Sequence, residues 1–161
     1  MMRVASLIVF VLSLSFAGCY RVSLSDLPSG TVYVKTFSNE TFYREFDELL
    51  NTALAEVLSR RSRLRRVSDE QAADYVLSGG ITSIVKRVLR TGESDTPLEY
   101  SFSCTLEYRL VRRGETKDAS RRKIDRSHRD VPSLNETQAS TLDQLAVYMA
   151  EELVRDMQNS W

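Results

Sequence analysis

The sequence predicts an α/β domain: a two-layer sandwich in which a four-stranded, mostly antiparallel sheet carries two helices on one face. Three observations predict it. Tyr100, Phe102, Cys104, Leu106, Tyr108 and Leu110 alternate with Ser101, Ser103, Thr105, Glu107 and Arg109, the period of a half-buried antiparallel strand. Phe42, Phe46, Leu49, Leu50, Ala53, Leu54 and Val57 recur at three- and four-residue spacing, with Asp47, Glu48, Asn51 and Glu56 on the other side, as in an amphipathic helix. The order strand, helix, strand, strand, strand, helix lets two helical stripes and one apolar sheet face share a core.

The elements follow in chain order. Thr31 to Phe37 is β-branched and aromatic, a strand by composition. Ser38-Asn39-Glu40-Thr41 supplies N-cap side chains for the first helix, and five arginines between Arg60 and Arg66 read as cations at its C-terminal dipole. Tyr75 to Val85 reads as a second strand with Tyr75, Leu77, Ile81 and Val85 on one face, and Gly79-Gly80 marks a bulge or a close backbone approach. Residues 91–97 form a loop, and Tyr100–Leu110 is the third strand. Arg113-Gly114-Glu115 turns the chain into a polar edge strand over Lys117–His128. Ser133-x-x-Glu136 resembles a capping box before a helix whose stripe is Leu142, Leu145, Ala146, Met149, Leu153 and Met157.

The N-terminus reads as an address. Met1-Met2-Arg3 is followed by an apolar run, Val4 to Ala17, interrupted only by Ser6, Ser13 and Ser15. That run is shorter than the roughly 20 residues a membrane-spanning helix needs and fits a secretory signal, with an uncleaved anchor as the alternative. Phe16-Ala17-Gly18-Cys19 resembles the bacterial lipobox, although Leu is usual where Phe16 stands. Small side chains let the backbone lie extended in a peptidase groove, and the Cys thiol is the nucleophile that accepts a diacylglycerol. The lipobox implies a signal peptide over 1–18 and, on Cys19, a diacylglycerol and an N-acyl chain. One acyl chain holds only marginally at about 0.8 kcal/mol per buried methylene, whereas three anchor durably. Tyr20, in place of an inner-membrane-retaining Asp, points to the outer membrane. Residues 19–30 are then the lipidated Cys and its tether, and 31–161 the domain. Cys104 is left without a disulfide partner and reads as a small buried hydrophobe.

Composition leaves little room for catalysis. Twenty-two basic residues balance 22 acidic ones, and there are one His and two Cys. That balance argues against nucleic acid as a partner, and the His and Cys supply is poor for a metal cluster. No GxSxG, Walker, GxGxxG, HExxH or CxxC motif occurs. Asp47-Glu48 and Glu151-Glu152 read as solvated helix faces, and His128 as a surface imidazole. Asn39-Glu40-Thr41 and Asn135-Glu136-Thr137 match the glycosylation sequon, but after a bacterial export signal they read as helix caps. The expectation is no catalytic residue, no metal and no cofactor beyond the acyl chains.

Charge placement is what remains. Nine basic and four acidic residues fall between Arg109 and Asp130, and Lys86, Arg87 and Arg90 cluster at the end of the second strand. Guanidinium groups bind phosphate bidentately. Lys86, Arg87, Arg90, Arg122, Lys123 and Arg126 are therefore candidate contacts for a phosphorylated glycolipid, and an edge made cationic to resist strand pairing is the equal alternative.

The lipobox, "TVYVKTFSNET", a helix, "ADYVLSGGI" and the long alternating strand together resemble the LptE family of lipopolysaccharide-assembly lipoproteins. Phe37, Asn39 and Thr41 match one family motif, and Ala73, Asp74, Leu77 and Gly79 match a second; the Gly usual after the lipidated Cys is missing. The resemblance implies a non-catalytic outer-membrane lipoprotein, anchored on the periplasmic side, that plugs an LptD-type β-barrel and helps deliver lipopolysaccharide to the outer leaflet. From the charge placement, reversing Arg122 and Lys123 to Glu is expected to weaken lipopolysaccharide binding without unfolding the domain. Similar openings occur in LpoB-like activators of peptidoglycan synthases and in the CsgG and TolB amino-terminal domains. A lipoprotein activator of a peptidoglycan synthase is the alternative, and the short 20–30 tether, under about 40 Å when extended, counts against its reach.

Overall fold

The computed structural model describes residues 29–115, 121–131 and 137–159. Cys19, nearly all of the tether, the Ser133–Glu136 box and the start of the Lys117–His128 segment lie outside them. The elements run β1 (Ser29–Val34), β2 (Ser38–Asn39), α1 (Phe46–Arg61), β3 (Arg63–Val67), β4 (Tyr75–Thr91), β5 (Pro97–Arg112), β6 (Arg122–Asp130) and α2 (Gln138–Asn159).

Both helices pack on one face of the sheet, as expected, but the sheet is larger and differently paired. It has six strands in the order β3-β1-β4-β5-β6, with β2 beside β4. The expected four-stranded, mostly antiparallel sheet is thereby corrected to a mixed one. β1 lies parallel to both β3 and β4, β2 is parallel to β4, and β4, β5 and β6 are antiparallel neighbours. Parallel neighbours need a crossover, and α1 provides it between β1 and β3.

β3 is the strand the sequence hid. Arg63, Arg65 and Arg66 were expected to continue the helix-end cation run; only Arg60 and Arg61 lie in the last turn of α1. Ser62 stops the helix in extended conformation, and a short edge strand follows in which Leu64 alone is fully buried. Two further boundaries move. β1 begins at Ser29, so Ser29 and Gly30 already belong to the sheet. α1 begins at Phe46, and Phe42, expected in its apolar stripe, is fully exposed.

The residues expected to cap α1 build a turn before it instead. The Asn39 side chain accepts from the Thr41 N–H (3.0 Å) and hydroxyl (2.8 Å) and donates to the Tyr43 carbonyl (2.8 Å) and to Asp47 (3.1 Å). At α2 the cap is Thr137, whose hydroxyl accepts from the Ser140 N–H at 3.1 Å while Ser140 Oγ accepts from the Thr137 N–H at 3.0 Å. This is a reciprocal box with Ser in the place usually held by Glu.

The core lies between sheet and helices. Val32, Leu77, Ile81, Phe102 and Leu106 meet Leu50 and Leu54 of α1 and Leu145, Met149 and Leu153 of α2, all without solvent exposure. Burying each of these large side chains contributes about 1.5–3 kcal/mol. Cys104 belongs to this core, as its place in the alternation predicted.

Candidate functional site

The sheet has one face under the helices and one without. Which face a β4 residue occupies depends on a bulge at Thr82. Ile81 pairs with Leu106, but Ser83 pairs with Thr105, so one extra residue enters β4 and reverses its alternation. Past the bulge, Ile84 packs against the core opposite Cys104, while Val85 is 38% exposed; its expected place on the buried face is corrected by that single insertion.

This parity divides the six candidate cations into two groups. Lys86, Arg122 and Arg126 lie opposite Phe102, Tyr108 and Cys104, on the helix side. There they are engaged. Arg122 pairs with Asp156 of α2 at 2.9 Å, and Arg126 pairs with Glu152, which also holds Arg155. Lys86 Nζ lies 4.0 Å from the Tyr100 ring centroid and 3.4 Å from Gln138 Oε1. A cation over an aromatic face is attracted by the ring quadrupole. These three fasten β4 and β6 to α2.

Arg87, Arg90 and Lys123 lie on the helix-free face, with Arg109, Arg121 and Arg129. Cross-strand pairing sets Arg87, Ser101 and Arg129 in one row and Val85, Ser103 and Ser127 in the next. Glu99 holds Arg129 at 2.7 Å and lies 4.0 Å from Arg90; Lys123 lies 3.6 Å from Asp125; Arg121 pairs with Glu107 at 3.1 Å. Among the described residues no carboxylate pairs with Arg87. The face is thus half-exposed serines flanked by guanidinium groups. It also holds a shallow hollow of about 300 Å³ lined by Ser38, Ser78, Thr82, Glu107, Arg109 and Arg121. Arg129 and Glu99 escaped sequence reasoning because only the strand register places them beside Arg87.

The two longest strands outrun their neighbours. β1 and β2 accompany β4 only as far as Ile81, and β6 accompanies β5 only from Tyr100, which lies opposite Val88, so residues 89–99 form a two-stranded ribbon beyond the rest of the sheet. Its turn places Ser94 and Asp95 at φ of 59° and 56°. Val88 is 49% exposed and Leu89 52%, and Leu98 and Val85 are also in solvent; fully exposed Phe42 lies at this same end. This end is both apolar and cationic.

Cys104, Asp74 and His128 each make contacts within the domain. The Cys104 thiol is pushed up to about 12 by burial first and by the Asp125 charge second. Asp74 is held below the ordinary carboxylate value by hydrogen bonds from the Thr31 backbone and hydroxyl. His128 packs against Tyr148 of α2, with ring centroids 5.3 Å apart. Among the described residues no group of three His, Cys, Asp or Glu side chains could hold a metal. No described helix is long and apolar enough to cross a membrane.

The family model of LptE, described as lipopolysaccharide-assembly, matches residues 29–161. The chain belongs to the LptE family. Its fold is shared by solved structures of low identity. A lipoprotein B from Nitrosomonas europaea has a TM-score of 0.57 at 17% identity, over 83% of this chain and 85% of that one. A PelC dodecamer from Paraburkholderia phytofirmans gives 0.55 at 16%, over 83% and 96%. A protein from Xanthomonas campestris gives 0.56 at 11%, over 84% and 89%. At these identities the likeness is one of fold alone. No curated protein matches the chain. The two motifs that carried the family resemblance meet in space: Phe37 is buried against Gly79, and Asp74 holds Thr31 at the start of β1.

Proposed function

We propose that this LptE-family chain is a non-enzymatic outer-membrane lipoprotein, held at the periplasmic side by acyl chains on Cys19. It plugs the lumen of an LptD-type β-barrel and assists lipopolysaccharide transfer to the outer leaflet. The family match over the whole described domain carries this reading. A hydroxyl-rich, cationic sheet face suits a hydrated barrel interior, where an apolar face would not. Arg87, Arg90 and Lys123 on that face are the lipopolysaccharide contacts, with Arg129 in the row of Arg87; the guanidinium groups take phosphate oxygens in pairs, and the Lys123 ammonium acts as a point charge. Lys86, Arg122 and Arg126 support the same surface from behind through α2.

Arg122 is a poor choice for testing this, because Glu there would face Asp156. The decisive variant is Arg87→Glu, whose side chain lies in solvent and pairs with no carboxylate among the described residues. Titration with lipopolysaccharide is expected to show weakened binding and an unchanged unfolding midpoint. Binding equal to wild type removes this face from the account.

A further inference from the structure

Towards the ribbon, β4 becomes an edge strand. β1 pairs with it as far as Leu77 and β2 as far as Ile81, and among the described residues no strand accompanies it on that side from Thr82 to Thr91. The chain leaves β2 at this point. The Glu40 N–H donates to the Ile81 carbonyl at 3.0 Å, and the Asn39 side chain folds the next residues into their turn. That turn sets Tyr43 edge-on to Phe102, with ring centroids 6.1 Å apart, and leaves Phe42 in solvent. Phe102 lies opposite Lys86, so Phe42 stands beside the unpaired stretch of β4 that carries Val85, Val88 and Leu89.

The two sides of this edge differ. Val88 pairs opposite Tyr100 on the helix side and is nevertheless exposed, whereas Arg87 pairs opposite Ser101 on the helix-free face. Arg90 and Arg129 share Glu99, while no carboxylate pairs with Arg87 among the described residues. Charge alone selects no ligand here, because Glu93, Asp95 and Glu99 accompany Lys86, Arg87 and Arg90. Apolar surface does. Of the large hydrophobic side chains exposed among the described residues, Phe42, Val85, Val88, Leu89 and Leu98 gather at this end and only Tyr148 lies elsewhere. Exposed apolar residues scattered singly need no explanation, but a cluster of them marks a contact surface.

We infer that this edge takes a fatty-acyl chain of the glycolipid whose phosphate Arg87 holds. The inference rests on the lipopolysaccharide reading given above and adds the apolar half of the ligand to it. Arg87 and Val88 are neighbours in the strand and point to opposite faces. A phosphorylated amphiphile straddling the unpaired edge therefore sets its phosphate over Arg87 and a chain against Val88, Leu89 and Phe42. The missing partner strand opens that passage on the β4 side alone at this row, since β5 keeps β6 beside it as far as Tyr100. A hydrated barrel lumen offers the edge nothing apolar, while the transported lipid brings its own apolar surface.

The test titrates the full acylated chain in detergent with two probes: intact lipopolysaccharide, and the phosphorylated saccharide left when all its acyl chains are removed. Affinities are compared between variants within each probe, so the state of the probe cancels. Phe42→Ser with Val88→Ser and Leu89→Ser is expected to weaken binding of the intact probe about tenfold and to leave the deacylated probe unchanged. Arg87→Glu is expected to weaken both. Phe42→Ser alone, at a fully exposed side chain, is expected to shift the intact probe in the same direction with an unchanged unfolding midpoint, which separates lost contact from lost fold. Wild-type affinity for the intact probe in the triple variant overturns the inference, and so does equal weakening of both probes. Loss of a co-purifying β-barrel by that variant, with lipopolysaccharide binding intact, assigns the edge to a protein partner and overturns it as well. A wild-type chain that binds neither probe overturns the lipopolysaccharide reading itself, and the inference with it.

Discussion

Phe37 fills the space that a side chain at Gly79 would need: a Cβ built there lies 2.5 Å from the Phe37 ring and 2.5 Å from the Glu107 carbonyl oxygen. Phe37 sits in the break between β1 and β2, is 1% exposed, and tucks its ring under β4. Gly79→Ala is expected to cost about 1–3 kcal/mol as overpacking, and Phe37→Ala about 3–5 kcal/mol as a cavity. The double variant is expected to cost less than the sum, because removing the ring vacates half of the clash. Denaturant midpoints of the three variants check this.

Asp74 and Thr31 make the second long-range clasp. The carboxylate accepts from the Thr31 N–H at 2.7 Å and from its hydroxyl at 2.8 Å, and the Asp74 N–H donates to Thr31 Oγ1 at 2.9 Å. These bonds favour the ionised form, so the folded-state value falls below the ordinary 3.8. The stabilisation is complete above the unfolded value and is lost as pH falls through the folded one. Asp74→Asn is therefore expected to destabilise the domain at neutral pH, with the gap to wild type closing below about pH 4. Thermal unfolding of both proteins across that range measures it.

The cations on the two sheet faces are expected to behave differently. Arg126→Ala removes a partly exposed pair with Glu152 and is expected to cost about 0.2–1 kcal/mol, recovered as coupling in a double-mutant cycle with Glu152→Ala. Arg87→Glu is expected to change stability by less than about 0.5 kcal/mol, since no paired carboxylate is lost.

Cys104 is expected to be silent to thiol reagents in the folded protein at mildly alkaline pH and to react fully in denaturant. The residue is 1% exposed and its pKa is pushed up to about 12, so almost no thiolate is present. A thiol-release assay with and without denaturant reads the difference.

Much of this was legible in the residues. Alternation in 100–110 located β5 and buried Cys104, and three- and four-residue spacing located both helices, because each pattern reports one buried face. Three things were not legible. β3 holds one buried side chain among three arginines, and its partner is parallel and distant, so no local period betrays it. The bulge at Thr82 changes parity without any change in composition, which moved Val85 outward and set Lys86 on the helix side. The six candidate cations read as one patch because register, which divides them between faces, exists only once strands pair.

The central claim is that this family member works by binding within a β-barrel. Affinity purification of the tagged, acylated chain from detergent-solubilised envelopes, followed by mass spectrometry, tests it most directly. A large outer-membrane β-barrel in stoichiometric yield is the predicted result. A penicillin-binding protein in its place, with no barrel, would contradict it.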